Sequence, residues 1–254
     1  MSSTDIGQAD KTEFQARFAS GRESALEKYR SIAVGQPGLR PLARYELMCW
    51  LLAPMPGALG YFLRGKLYPK VLGACGGGLI VGRNVCLRHP GRIRLGAGVV
   101  IDDNSVLDAK GEEDSSEGIK LGDGAMIGRN TILSCKGGWI RVGRNTNISA
   151  NCMLISESGL SIGDNVLVAG MTYIIAGGNH SVERTDIPII RQPMIQKGGV
   201  RIEDNCWLGA NVTVLDGVTV GRDSVIGAGA VVAGSIPEFA MAVGVPARVV
   251  KTRK

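Results

Sequence analysis

Imidazole and aromatic rings are scarce in this chain: it has two histidines, His89 and His180, and 12 aromatic residues in 254. Two imidazoles so far apart in sequence cannot by themselves supply the clustered ligands of a catalytic zinc, so no metal is expected. So few rings also argue against a core of ordinary packed layers. The six cysteines, Cys49, Cys75, Cys86, Cys135, Cys152 and Cys206, contain no C-x-x-C pair. That spacing speaks against a zinc site or a disulfide framework, and buried reduced thiols are the expected state. The first 19 residues are polar and charged and do not read as a secretory leader, so a cytoplasmic location is expected. Of the net charge of +6, residues 1–70 carry +4, from ten Lys or Arg and six acids. The remainder is nearly balanced, which is not the profile of a nucleic-acid binder.

What the chain does have is glycine, 37 residues of it, about twice average usage. Glycine falls within a six-residue period over residues 79–250. Val81-Gly82-Arg83-Asn84-Val85, Ile127-Gly128-Arg129-Asn130-Thr131 and Ile162-Gly163-Asp164-Asn165-Val166 show the unit, and Leu208, Val214, Val220, Ile226 and Val232 carry it on in phase. Each unit is one short strand and one tight turn, and three units close a triangular coil. The aliphatic residue and the small fifth residue point inward. Gly, Asn and Asp occupy turns that need positive φ. Such coils bury their faces only against each other, so the ends need caps. The fold expected is an all-β solenoid, a parallel β-helix over residues 76–254, preceded by an α-helical region over residues 1–75.

Two stretches break the period. Residues 110–118 (KGEEDSSEG) read as a polar, acidic loop. Residues 176–199 hold His180, Glu183, Arg184 and Asp186, and loops of this length inside a repeat are usually functional. Upstream, residues 10–34 read as a polar helix. Residues 42–63 are strongly apolar, with Pro54 and Pro56 interrupting them and Arg44, Arg64, Lys66 and Lys70 around them. A membrane span needs about 20 apolar residues. Two short helices lying in a membrane face, or capping the open end of the coil, are both consistent with this pattern.

His89 sits at a turn in an early coil and reads as a solvated residue. His180 begins the long loop, where an imidazole can take a proton near neutral pH. The repeat, the histidine-bearing loop and the tail GVPARVVK resemble the hexapeptide-repeat acyltransferases. The branch resembled is that of sugar O-acetyltransferases and serine-acetyltransferase-like enzymes, and the likeness runs from about residue 79 to 251. It implies that the β-helix is left-handed. It also implies transfer of an acetyl group from acetyl-CoA to a hydroxyl of a sugar or glycan, in envelope or exopolysaccharide assembly.

By the same resemblance His180 is the general base and Asn151 helps hold the acceptor, although Asn also recurs at this turn position for structural reasons. The pantetheine arm would lie along Gly209, Ala210, Gly227, Ala228, Ala233 and Gly234, with Arg248 and Lys251 on the nucleotide phosphates. A donor near Gly209 would hold the oxyanion, and Glu183, Asp186 or Asp164 would orient the imidazole. A homotrimer with sites between subunits is implied. If residues 42–63 touch lipid, the enzyme would sit at the cytoplasmic face of the inner membrane and its acceptor could be lipid-linked. Many members carry proline after the histidine, whereas this chain has Ser181. N-acetyl transfer to an amino sugar, and a non-catalytic β-helix scaffold, are the alternatives.

Overall fold

The computed structural model describes residues 24–111 and 118–253. Its strands form three sheets of seven, nine and seven strands wound around a common interior, parallel throughout except for the last strand of the nine-stranded sheet. The first face runs from Ala74–Cys75 to Thr219–Val220, the second starts at Ile80–Val81, and the third runs from Cys86–Arg88 to Val231–Val232. Each strand pairs in parallel with its counterpart one coil on, as in Met153↔Tyr173 and Tyr173↔Thr213. This is the left-handed parallel β-helix expected. Val81 pairs with Ile101, Ile148 with Val168 and Leu208 with Ile226. A coil therefore takes 20 residues in its upper part and 18 near the C-terminal end, where the hexapeptide is strict.

The inward residues explain the winding. Leu121, Val142, Ile162, Ile202 and Val220 stack at one position, with Ala125, Thr146, Val166, Cys206 and Ser224 at the tight corner beside them, all buried. The hydroxyls there are satisfied by the next coil: Thr146 Oγ1 donates to the Gly163 carbonyl at 2.7 Å and Ser224 Oγ to Pro237 at 2.8 Å. Of the non-glycine residues at positive φ, most are turn asparagines such as Asn84, Asn145 and Asn165. Their side chains tolerate the left-handed region and bond locally.

The three edges of the prism differ in chemistry. Between the first and second faces lies a charged edge, where the Arg144–Asp164 pair sits. Between the second and third lies a small-residue edge. Between the third and first lies the loop edge. Both breaks in the repeat fall on the loop edge, and residues 112–117 of the acidic insertion lie outside the described residues.

The N-terminal end is closed by helices. Of the helix expected over residues 10–34, the described part is α1 (Ala25–Ala33), opened by a capping box of Ser24 with Glu27. Next come α2 (Leu39–Leu47), a π-helical turn (Met48–Leu52), α3 (Gly57–Leu67) and a 3-10 turn (Tyr68–Lys70). The chain breaks at Pro54 and Pro56, as their missing N–H groups require. Leu42, Tyr45, Met48 and Tyr68 share one apolar core with Leu79 and Val81. Arg64, 0% exposed, ties the helices to the first coil through three carbonyls: Val81 at 2.8 Å, Leu52 at 2.9 Å and Met55 at 2.7 Å. His89 is not a solvated turn residue. It is buried, at φ 52°, with Nε2 2.9 Å from the Ser31 carbonyl, so its ring locks α1 to the coil.

Candidate active site

The chain leaves the third face after Tyr173–Ala176. Gly177 and Gly178 turn it at φ 120° and 77°. A side chain at Gly177 would lie 2.6 Å from Glu157 Cβ, so glycine is required there. Asn179–His180 then pairs antiparallel with Met194–Ile195, raising a hairpin from the loop edge, and the chain rejoins the coil at Val200.

Two residues not singled out in the sequence hold this hairpin. Gln192 is buried. Its Nε2 donates to the Arg184 carbonyl at 2.6 Å, and its Oε1 accepts the Arg184 N–H at 3.1 Å. Asp216, buried in the coil that follows, accepts three donors at the loop's base: Asn179 Nδ2 at 2.8 Å, Lys197 N at 3.1 Å and Gly199 N at 3.0 Å. The available signal was a lone acid, in Leu215-Asp216-Gly217, in the coil just after the excursion. Ser181 has a reason too. Its N–H donates to the Pro193 carbonyl at 2.9 Å, a bond proline cannot make.

His180 is half-buried, with Nδ1 3.4 Å from the Gln192 carbonyl. A carbonyl only accepts, so this contact favours the tautomer with the proton on Nδ1 and leaves Nε2 with its lone pair. The expected carboxylate partner is not found among the described residues of one chain. Asp164 is held by Arg144, whose guanidinium and N–H keep its carboxyl below the usual range, and Asp186 is lowered by the Arg184 guanidinium and by its own N–H. Glu183 has only its N–H engaged, with Ser181 Oγ at 3.4 Å. At the loop's start Glu157 packs against Gly177 and Gly178, and Asp216 is bonded to Asn179. No three His, Cys, Asp or Glu side chains among the described residues converge as metal ligands.

The other expected residues divide between two edges. Asn151 lies on the small-residue edge at φ 59°, accepting Asn130 Nδ2 at 3.1 Å. It sits at the opposite end of the third face from His180, so one chain does not bring the two together. Gly209, Ala210, Gly227 and Ala228 continue that same edge, one coil and two coils beyond Met171. Ala233 and Gly234 lie instead on the loop edge. Arg248–Thr252 runs antiparallel to Ala240–Val243, with Arg248 opposite Val243 and Lys251 opposite Met241, both exposed.

Part of the small-residue pattern is structural. A Cβ at Gly209 would lie 2.6 Å from Ala228 N, and one at Gly227 would lie 2.7 Å from Val243 Cγ1, whereas one at Gly234 meets nothing. The Gly209 N–H is engaged with the Ile226 carbonyl at 2.8 Å, so it cannot serve an oxyanion. The next residue can. On the charged edge, the N–H groups of Ala97, Arg144 and Asp164 are each taken by an aspartate of the following coil. On the small-residue edge the Arg83 N–H is taken in the same way by Asp103, but from Ala150 onward no acid stands in that position, and the N–H groups of Ala150, Gly170, Ala210 and Ala228 have no acceptor among the described residues.

Residues 199–234 match the family described as bacterial transferase hexapeptide (six repeats), and residues 139–176 the hexapeptide repeat of succinyl-transferase. A probable acetyltransferase of Mycobacterium tuberculosis is 39% identical over 125 residues, covering 49% of this chain and 41% of that protein. Galactoside O-acetyltransferase of Escherichia coli K12 is 35% identical over 116 residues, covering 45% and 55%. The corresponding enzyme of Lactococcus lactis is 35% identical over 105 residues, covering 39% and 46%. The chain thus spans about half the length of the curated relatives it matches. The polySia-specific acetyltransferase NeuO superposes with a TM-score of 0.45 at 23% identity, over 70% of this chain and 80% of that one. The chain is thus similar to hexapeptide-repeat transferases, and sugar O-acetyltransferases are among its relatives.

Proposed function

We propose that this protein transfers an acetyl group from acetyl-CoA to a hydroxyl of a sugar or glycan, with His180 as the base. The observation that carries the reading is the placement of His180 on the loop, with Nδ1 3.4 Å from the Gln192 carbonyl, an arrangement that favours an Nε2 able to accept a proton. In the reaction the acceptor oxygen attacks the thioester carbonyl as Nε2 takes its proton. The C–O bond forms, the C–S bond breaks, and the proton passes to the departing thiolate. General-base assistance of this kind contributes about 10²–10⁴ in rate.

The free N–H groups of Ala210 and Ala228 suit the donor's amide carbonyls and the developing oxyanion, and one such donor is typically worth about 10²–10³. Arg248 and Lys251 suit its phosphates. Asn151 on the same edge suits the acceptor's hydroxyls. Because His180 and the Ala210 row occupy different edges of one chain, we assign the complete site to the junction of two copies in a homotrimer. The loop's exposed Val182, Ile189 and Ile190 support this assignment. A CoA donor places the reaction in the cytoplasm.

The test is thiol release from acetyl-CoA in the presence of galactosides and other glycans. Wild-type protein should release CoA only with acceptor present, and His180→Ala should lose at least about a hundredfold while keeping its circular dichroism. Near-normal turnover by His180→Ala would remove the assignment.

A further inference from the structure

The helical cap uses only one of its sides to close the coil. Leu42, Tyr45, Met48, Leu52 and Tyr68 are buried, whereas Leu47, Trp50, Leu51, Leu59 and Phe62 face away from the protein. Trp50 is 82% exposed and Phe62 62%. Contiguous apolar surface of this kind marks an interaction site. α3, which carries Leu59 and Phe62, packs on the π-helical turn that carries Trp50 and Leu51.

Charge says what covers it. Residues 24–70 carry seven Lys or Arg and two acids, and one of those acids, Glu46, accepts the Tyr29 hydroxyl. Arg40 and Arg44 stand among the exposed apolar residues of α2, and Lys66 and Lys70 close α3 and the 3-10 turn. Arg44 and Lys70 border a cleft of about 190 Å³ between cap and coil, and neither has an ion-pair partner among the described residues.

We propose that the outer side of this cap is a seat on an anionic lipid bilayer. Its Trp, Phe and Leu side chains would enter the interfacial layer, and its Arg and Lys side chains would meet lipid phosphates. No described helix is long and apolar enough to cross a membrane, so the helices lie in the plane of the surface. Indole, phenyl and cationic side chains together are what that boundary favours. The cap closes the N-terminal end of the prism, and His180 follows the fifth strand of the third face. At about 4.8 Å per coil, that histidine stands roughly 20 Å from the first strand of that face. A glycan carried on a lipid could reach it there, although the seat itself does not depend on acyl transfer.

Co-sedimentation with vesicles tests this. Full-length protein should bind vesicles of phosphatidylcholine mixed with phosphatidylglycerol, bind phosphatidylcholine alone far more weakly, and release as salt is raised. Each basic residue near such a surface contributes a factor of about five. Arg40→Gln with Arg44→Gln should therefore weaken binding about 25-fold. Trp50→Glu with Phe62→Glu should remove binding while leaving the circular dichroism and sedimentation coefficient unchanged. His180→Ala should bind like wild type, which separates this result from failure of the catalytic reading. Three results would each overturn the seat: no binding to anionic vesicles, binding unaffected by both double variants, or a Trp50/Phe62 variant that dissociates copies. Binding that appears only after removal of residues 1–23 would also overturn it, because that segment would then be the face's occupant.

Discussion

Asp216 shows how one buried side chain can hold the base of a long loop. Its carboxylate meets three donors and no other acceptor among its hydrogen bonds. Asp216→Asn keeps the shape but turns one acceptor into a donor pointed at donors. We expect turnover to fall at least tenfold, because the base of the His180 hairpin loosens, with little change in unfolding midpoint, since the coil's apolar stacking is untouched. An unchanged rate would show that the hairpin is set elsewhere. His180 could be read in the sequence because it is one of two histidines and stands where the period fails. Gln192 and Asp216 could not, since each acts through backbone groups brought together only by the fold. Of the three carboxylates named for His180, Asp164 and Asp186 have arginine partners, Glu183 makes no bond to the imidazole, and the ring faces a carbonyl instead.

Among the elements, the repeat was legible because one face of every unit must be aliphatic and one corner small. Its pattern did not show that both interruptions share an edge. That depends on how many residues each coil takes, and the coils of 20 residues differ from those of 18 on the loop edge. The cap was half legible: proline spacing predicted two bent helices, but the arginine that fastens them looked like a flanking charge. Arg64→Met would remove the side-chain donor from three carbonyls where cap meets coil, leaving only that of Leu52 with another donor, the Met55 N–H. The expected loss of stability is about 3 kcal/mol, read from denaturant unfolding, and an unchanged midpoint would refute that role. The buried thiols make a second prediction. Burial pushes Cys135 up to about 12 and Cys206 to about 11, from an ordinary value of 9.0. A raised folded value favours the folded state fully below pH 9 and loses that advantage as pH climbs toward 12. Stability should therefore fall across that window, and Cys135→Ala with Cys206→Ala should flatten the fall. An equally steep fall in that variant would assign it to other groups, such as the buried tyrosines Tyr45 and Tyr68, whose hydroxyls burial also raises.

For the whole molecule, the proposed site is divided between two edges of the prism. One edge raises His180, and another offers the free N–H groups of Ala210 and Ala228. Asn151 shares the second edge with Ala210, at the far end of the third face from the histidine. A symmetric ring of copies lets the loop edge of one meet the small-residue edge of the next, and a contact of that kind repeats around a trimer. The most direct test mixes two damaged proteins. His180→Ala removes the base, and Ala210→Trp blocks the proposed donor row, so each should be inactive alone. Co-expressed and purified together, they should recover about a quarter of wild-type acetyl transfer, because about one junction in four then pairs an intact loop with an intact edge. Mixed protein no more active than either variant alone would contradict the shared site.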